Sequence, residues 1–153
     1  MSAVTESGFN LDQLKQIAPQ PERIIDDLVA VLMSLTSDDE ETRAWAVDCI
    51  QSIESLPQSK AEMIAGLCDH SSDAVVNWTC RMLGKAENVD PFQQQLTRVL
   101  LNHSCITARQ TAAMALGCVK KASTETKQGL EVAAQSSDPR LQRLAKESLE
   151  KIG

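Results

Sequence analysis

Apolar residues between Thr42 and Ile53 (TRAWAVDCIQSI) fall at 42, 45, 46, 49, 50 and 53, a spacing that puts them on one wide arc of an α-helix. The same arrangement returns after 33 residues in Val75–Ala86, again in Ala108–Val119, and again in Leu141–Ile152, with no gap needed. Trp45, Trp78, Thr111 and Leu144 form one column, and Ala46, Thr79, Ala112 and Ala145 a second. Ile50, Leu83, Leu116 and Leu149 form a third, and Ile53, Ala86, Val119 and Ile152 a fourth. A fixed period in this range is the mark of a repeat architecture in which each unit buries its apolar face only against its neighbours.

The spacing predicts a first helix of each pair over about 21–36, 58–70, 91–103 and 124–136. The second helices cover about 39–54, 73–86, 105–121 and 139–152. Joints this short force antiparallel hairpins, and hairpins at constant period stack. The expected fold is therefore all-α: an α-solenoid of about four hairpins in a single domain over residues 1–153. Its repeats span about 21–56, 57–88, 89–122 and 123–153. Residues 1–20 form a leader with a short helix, opened by an Asn10/Gln13 capping box and apolar at Leu11, Leu14, Ile17 and Ala18. Pro19 and Pro21 end that helix. Capping boxes are expected at Ser37/Glu40 and Ser59/Glu62, Asp caps before proline at Asp90-Pro91 and Asp138-Pro139, and a C-terminal cap at Gly153. Gly84 and Gly117, in register, point to close helix crossings.

Opposite the apolar arc, the second helices carry Glu41, Ala44 and Asp48, then Ala74, Asn77 and Arg81, then Thr107, Gln110 and Met114, then Arg140, Arg143 and Glu147. The core columns repeat and these do not, as a scaffold with a site-specific surface requires. Glu41, Asp48, Asn77, Arg81, Gln110, Met114, Arg140 and Arg143 are the candidate partner-binding residues.

Charge sharpens this picture. Residues 1–62 hold 12 acidic and 4 basic side chains, residues 63–153 hold 9 and 11, and the chain carries −6 overall. Such a chain gains nothing from displacing counterions on a phosphate backbone, so no nucleic-acid binding is expected and a partner protein with a basic patch fits better. Aromatics make up 3 %, with no tyrosine, so the core is aliphatic and alanine-rich. The five cysteines (Cys49, Cys68, Cys80, Cys105, Cys118) read as reduced core residues of a cytoplasmic protein. No secretion signal or membrane-spanning run is read.

The run Asp138-Pro139-Arg140-Leu141-Gln142 with Ala145, Leu149 and Ile152 resembles the short HEAT-like repeats also found in phycobilin lyase subunits. Ala108-Arg109 with Ala112, Ala115-Leu116-Gly117 and Val119 resembles them too. The resemblance covers about 21–153. It departs where Val76 and Gln142 replace the arginine seen at Arg43 and Arg109, and the Ala-Leu-Gly run is intact only in the third repeat. It implies a right-handed superhelix whose second helices line a concave binding surface. Ankyrin repeats share the period, but their Thr-Pro-Leu-His signature is missing here.

Candidate chemistry is thin. Trp45 and Trp78 are read as core or inter-repeat packing against an alternative aromatic ladder for a ligand. Ser37-Asp38-Asp39-Glu40-Glu41 is read as acids favoured at a helix N-terminus. His70 and His103, flanked by Cys68 and Cys105, are read as histidines stabilised at helix C-termini, because repeats stand too far apart to converge on one ion. No metal, cofactor or catalytic set is expected. The function expected is a non-enzymatic protein-binding scaffold. A tetrapyrrole lyase or chaperone subunit follows from the resemblance alone, and would use a slot near Met114, Cys80 and Cys118. A HEAT-like DNA glycosylase would need a basic groove where this chain begins acidic.

Overall fold

The computed structural model describes residues 8–153, so the start of the expected leader lies outside the described residues. The described chain is all-helical. Helix α1 (Leu11–Ile17) is followed by α2 (Pro21–Asp26) and α3 (Leu28–Met33), then α4 (Glu40–Gln51), α5 (Gln58–Ile64) and α6 (Asp73–Leu83). Helices α7 (Gln93–Asn102), α8 (Ile106–Leu116), α9 (Thr124–Ala133) and α10 (Pro139–Ile152) complete it. Short 3-10 turns at Ser34–Thr36, Ala65–Asp69 and Asp90–Phe92 extend the first helices of three hairpins. The helix expected over 21–36 is broken at Asp27, whose φ of −107° and ψ of 28° leave the helical region.

These hairpins stack into an α-solenoid. Each second helix packs on its own first helix, as α8 does on α7 and α10 on α9, and the last two also pack on the second helix before them, α8 on α6 and α10 on α8. Helix α1 takes the place of a preceding second helix, lying on α4 with Leu14 and Ile17 in the core and accepting a long Cys49 Sγ contact of 3.8 Å at its Leu14 carbonyl. The alanine column is dry, with Ala46, Ala112 and Ala145 at 0 % exposure. Thr79 stands in that column too, and its hydroxyl is the buried side-chain oxygen without a partner among the described residues.

Both glycines mark close crossings. A Cβ on Gly84 would lie 3.2 Å from Ala115 Cβ, and one on Gly117 would lie 2.6 Å from Ser148 Oγ, itself donating to the Ala113 carbonyl at 2.6 Å. Neither needs a left-handed backbone, since both have φ near −65°. Side-chain size is the reason for glycine here.

The caps follow the period more faithfully than the residue types do. Asp39, Ser72, Cys105 and Asp138, each 33 residues apart, are the N-cap residues of α4, α6, α8 and α10. Asp39 accepts from Thr42 N–H, Ser72 from Val75 N–H and Asp138 from Leu141 N–H, while Cys105 makes no such bond. The Asn10/Gln13 box is formed in both directions, at 2.9 Å each way. Three expected caps differ. Ser37 stands two residues ahead of the α4 cap and accepts from Asp39 N–H, and α5 begins behind Pro57 with no side-chain cap, so neither Ser37/Glu40 nor Ser59/Glu62 is a box. Asp90 turns away from its own helix and accepts from the N–H groups of Lys120 and Lys121 at 2.8 and 3.1 Å, clasping the loop that follows α8. Gly153 does end α10, donating its N–H to Leu149 O.

Candidate functional site

The candidate residues divide by exposure. Glu41 and Asp48 on α4, Arg81 on α6, and Arg140 and Arg143 on α10 are exposed. Asn77, Gln110 and Met114, in the middle of the stack, are half-buried rather than exposed. Asn77 Oδ1 accepts the Thr111 hydroxyl across the α6–α8 junction, and Gln110 Nε2 donates to Asp138 Oδ2 at 2.9 Å, steadying the α10 cap. Met114 lines a cleft of about 180 Å3 with Arg81, Gly84, Lys85, Thr111, Ala115 and Cys118.

The exposed residues keep the charge order read from the sequence. At the first repeat Glu41 is joined by Lys15 at 3.9 Å, an exposed pair worth little in itself. Further along, Arg81 lies near Lys85, whose ammonium is held below its usual value by burial first and by the Arg81 charge second. Lys85 donates to Ile53 O, and Leu56 N–H to Lys85 O at 3.0 Å, so the first two repeats are laced at their loops. In α10 the outward-facing Arg143 pairs with Glu147 at 3.4 Å.

Each tryptophan is partly buried against the core and carries a cation. Lys15 Nζ stands 5.8 Å from the Trp45 ring centroid, and the Arg81 guanidinium carbon 5.5 Å from that of Trp78, both within cation–π range. The core-packing expectation therefore holds for one side of each ring only.

The histidines have a local task that differs from the expected helix-dipole one. His70 Nδ1 accepts from Ser72 N–H at 2.9 Å and His103 Nδ1 from Cys105 N–H at 3.0 Å, one repeat apart. Ser37 Oγ and Ser136 Oγ do the same for Asp39 and Asp138 at 3.1 Å. Positions 37, 70, 103 and 136 thus form a column of acceptors that fix the turn into each second helix. Bound in this way, the lone pair a metal would need on Nδ1 is engaged. Among the described residues no group of three His, Cys, Asp or Glu side chains is placed to hold an ion.

The thiols are unpaired as expected, but their placement differs. Cys49, Cys68 and Cys80 are buried, Cys105 is half-buried and Cys118 is exposed, so the last is no core residue. Cys68 and Cys80 meet within one hairpin, and the hydrogen bond between them together with burial pushes the Cys80 thiol well up. The motif arginines also find a role that the sequence did not show. Arg43 donates to Ser37 O at 2.7 Å and Arg109 to Leu100 O at 2.9 Å, each tying a second helix to the end of the first helix before it.

Larger hollows lie on the first-helix side, where sequence reasoning placed nothing. One of about 510 Å3 runs between α7 and α9, and one of about 620 Å3 is lined by Val29, Met33, Thr36, Leu67 and His70 to Ser72. Among the lining residues of the first, Gln93 is committed to stacking. Gln93 accepts from Ser123 N–H at 2.8 Å and from the Thr126 hydroxyl at 2.8 Å, and donates to Lys121 O at 3.0 Å. No helix among the described residues is long and apolar enough to cross a membrane.

No family model and no curated protein matches the chain. Among solved structures it is similar to an engineered protein determined by the Northeast Structural Genomics Consortium, at 21 % identity and a TM-score of 0.53, covering 91 % of this chain and 70 % of that one. A designed armadillo repeat protein in complex with a (KR)4 peptide is matched at 16 % identity and a TM-score of 0.36, over 94 % of this chain and 91 % of that one. The first likeness bears on fold alone. The class in hand is a helical repeat protein.

Proposed function

We propose that the chain is a non-enzymatic protein-binding scaffold of the short HEAT-like kind, engaging its partner along the face of the second helices. The observation that carries this reading is the change of sign along that face. Glu41 and Asp48 are exposed on α4 with no core contact to explain them, while Arg81, Arg140 and Arg143 are exposed further along. Such an arrangement orients a partner, whose basic patch meets the acidic end first. The tetrapyrrole alternative is not favoured: Cys80 is fully buried, and the cleft beside Met114 and Cys118 holds about 180 Å3. That is below the roughly 300–1,000 Å3 of ordinary ligand sites.

The test is the double variant Glu41→Lys with Asp48→Lys, compared with the parent in capturing a partner and then in association kinetics at low and high salt. The reading expects a slower association rate, most at low salt, and a stability change within about 0.5 kcal/mol. A partner that associates with the double variant at the parent rate at low salt would move the docking site off this face.

A further inference from the structure

Trp45 and Trp78 occupy the same place in successive repeats, yet their surroundings have opposite sign. One turn ahead of Trp45 is Glu41 and three residues after it is Asp48; the matching neighbours of Trp78 are Ala74 and Arg81. At Trp78 the ring is covered by a cation from its own helix, 5.5 Å away. At Trp45 the cation comes from elsewhere: Lys15 of α1 reaches over, 5.8 Å from the ring centroid and 3.9 Å from Glu41 Oε2.

A ring with a carboxylate beside it is a receptor for a cationic side chain, because the ring quadrupole and the carboxylate charge attract the same group. Here the chain fills the receptor itself, and loosely. The Lys15 side chain is 45 % exposed and that of Glu41 62 %, so neither is locked in place. Helix α1 need not leave for the receptor to open. Leu14 and Ile17 anchor it in the core at 0 % and 4 % exposure, and Lys15 only has to swing its own side chain into water.

From this arrangement we infer that Trp45 with Glu41 receives a lysine or arginine side chain of the bound partner, and that Lys15 is the internal occupant it displaces. The inference rests on the proposed scaffold reading and narrows it to one side chain. Trp78, with Arg81 over it and Lys85 near, does not take the same ligand. The partner's basic residue therefore finds a single place along the face.

The experiment uses the full chain with Trp78→Phe, so that Trp45 is the one tryptophan left of the two. Capped tetralysine is titrated at low salt, with Trp45 fluorescence and calorimetry as readouts and capped tetra-aspartate as the control. Lys15→Ala removes the internal competitor and should tighten tetralysine binding about two- to five-fold, the reach of one exposed cation–π contact. Trp45→Leu should weaken it by a similar factor and Glu41→Gln should weaken it too, with Trp45→Phe as a packing-conservative variant and circular dichroism confirming the fold. An unchanged or weaker affinity for Lys15→Ala overturns the inference, as does equal binding of tetra-aspartate. If Trp45→Leu and Lys15→Ala both match the parent while Glu41→Lys with Asp48→Lys loses tetralysine, the receptor fails and the acidic face survives. If tetralysine does not bind the parent at all, the receptor is overturned and the face is judged by partner capture alone.

Discussion

The junctions between second helices are not alike. Helices α6 and α8, and again α8 and α10, run in close contact, whereas α4 and α6 approach much less and the first two repeats meet through α3 and the loops instead. Register explains the difference. The position that is Gly84 and Gly117 in the close junctions is Gln51 in the first, and the position facing it, Ala115 and Ser148 in the close junctions, is Met82 there. Two small residues let backbones approach, whereas at the first junction Gln51 is exposed and Met82 is buried in the core. One architecture thus contains two close junctions and a looser one, and the looser one lies at the acidic end.

The largest effect should come from erasing that difference in size. Gly84→Leu would drive a long side chain into Ala115, and overpacking of this kind costs about 1–3 kcal/mol. Gln51→Leu, at the matching exposed place of the looser junction, should stay within about 0.5 kcal/mol. Urea melts of both variants check the contrast, and equal costs would mean that the junctions are equally tight.

Next in size is the outer clasp, which joins the first-helix side by polar contacts rather than by close packing. Asp90→Ala leaves the N–H groups of Lys120 and Lys121 without their acceptor and should cost about 1 kcal/mol, as lost caps do. Hydrogen exchange should quicken at those two amides, and unchanged exchange would show that the clasp holds nothing.

A smaller effect should appear in acid. The carboxyl of Asp39 lies below its ordinary value because the Thr42 hydroxyl and N–H bind its ionised form; that of Asp138 lies below it through Leu141 N–H first and Gln110 second. A depressed value in the folded state means that the stabilisation is complete above the ordinary 3.8 and is lost as pH falls through the lower folded value. Melting temperature should therefore drop below about pH 4, less steeply in Asp39→Asn with Asp138→Asn. Parallel curves for parent and variant would refute the assignment.

The parts legible in the sequence were those that burial dictates. Ala46, Ala112 and Ala145 must be small, and Ile50, Leu83 and Leu116 must be apolar, so their columns repeat visibly. The turn acceptors at Ser37, His70, His103 and Ser136 were not legible, since serine and histidine share only a lone pair in the right place. Asp90 was misread because a cap for its own helix and a clasp on the loop after α8 demand the same residue type. Of the candidate face, the charged ends were read correctly as exposed. Asn77 and Gln110 were not, because a partner one repeat away in sequence cannot be seen from the helical period of either residue.

That second helices stack in a strict register is the claim from which both the face and its charge order follow, and one pair tests it directly. Gly117 has an ordinary helical backbone, so alanine there should gain on propensity alone, by up to about 1 kcal/mol. The obstacle is Ser148 Oγ, 31 residues away in sequence and 2.6 Å from where the new Cβ would be. In a double-mutant cycle, Gly117→Ala should lower stability in the parent and cost less, or raise it, once Ser148→Ala has cleared the oxygen. Additive effects, agreeing within about 0.5 kcal/mol, would mean that α8 and α10 do not meet at this register.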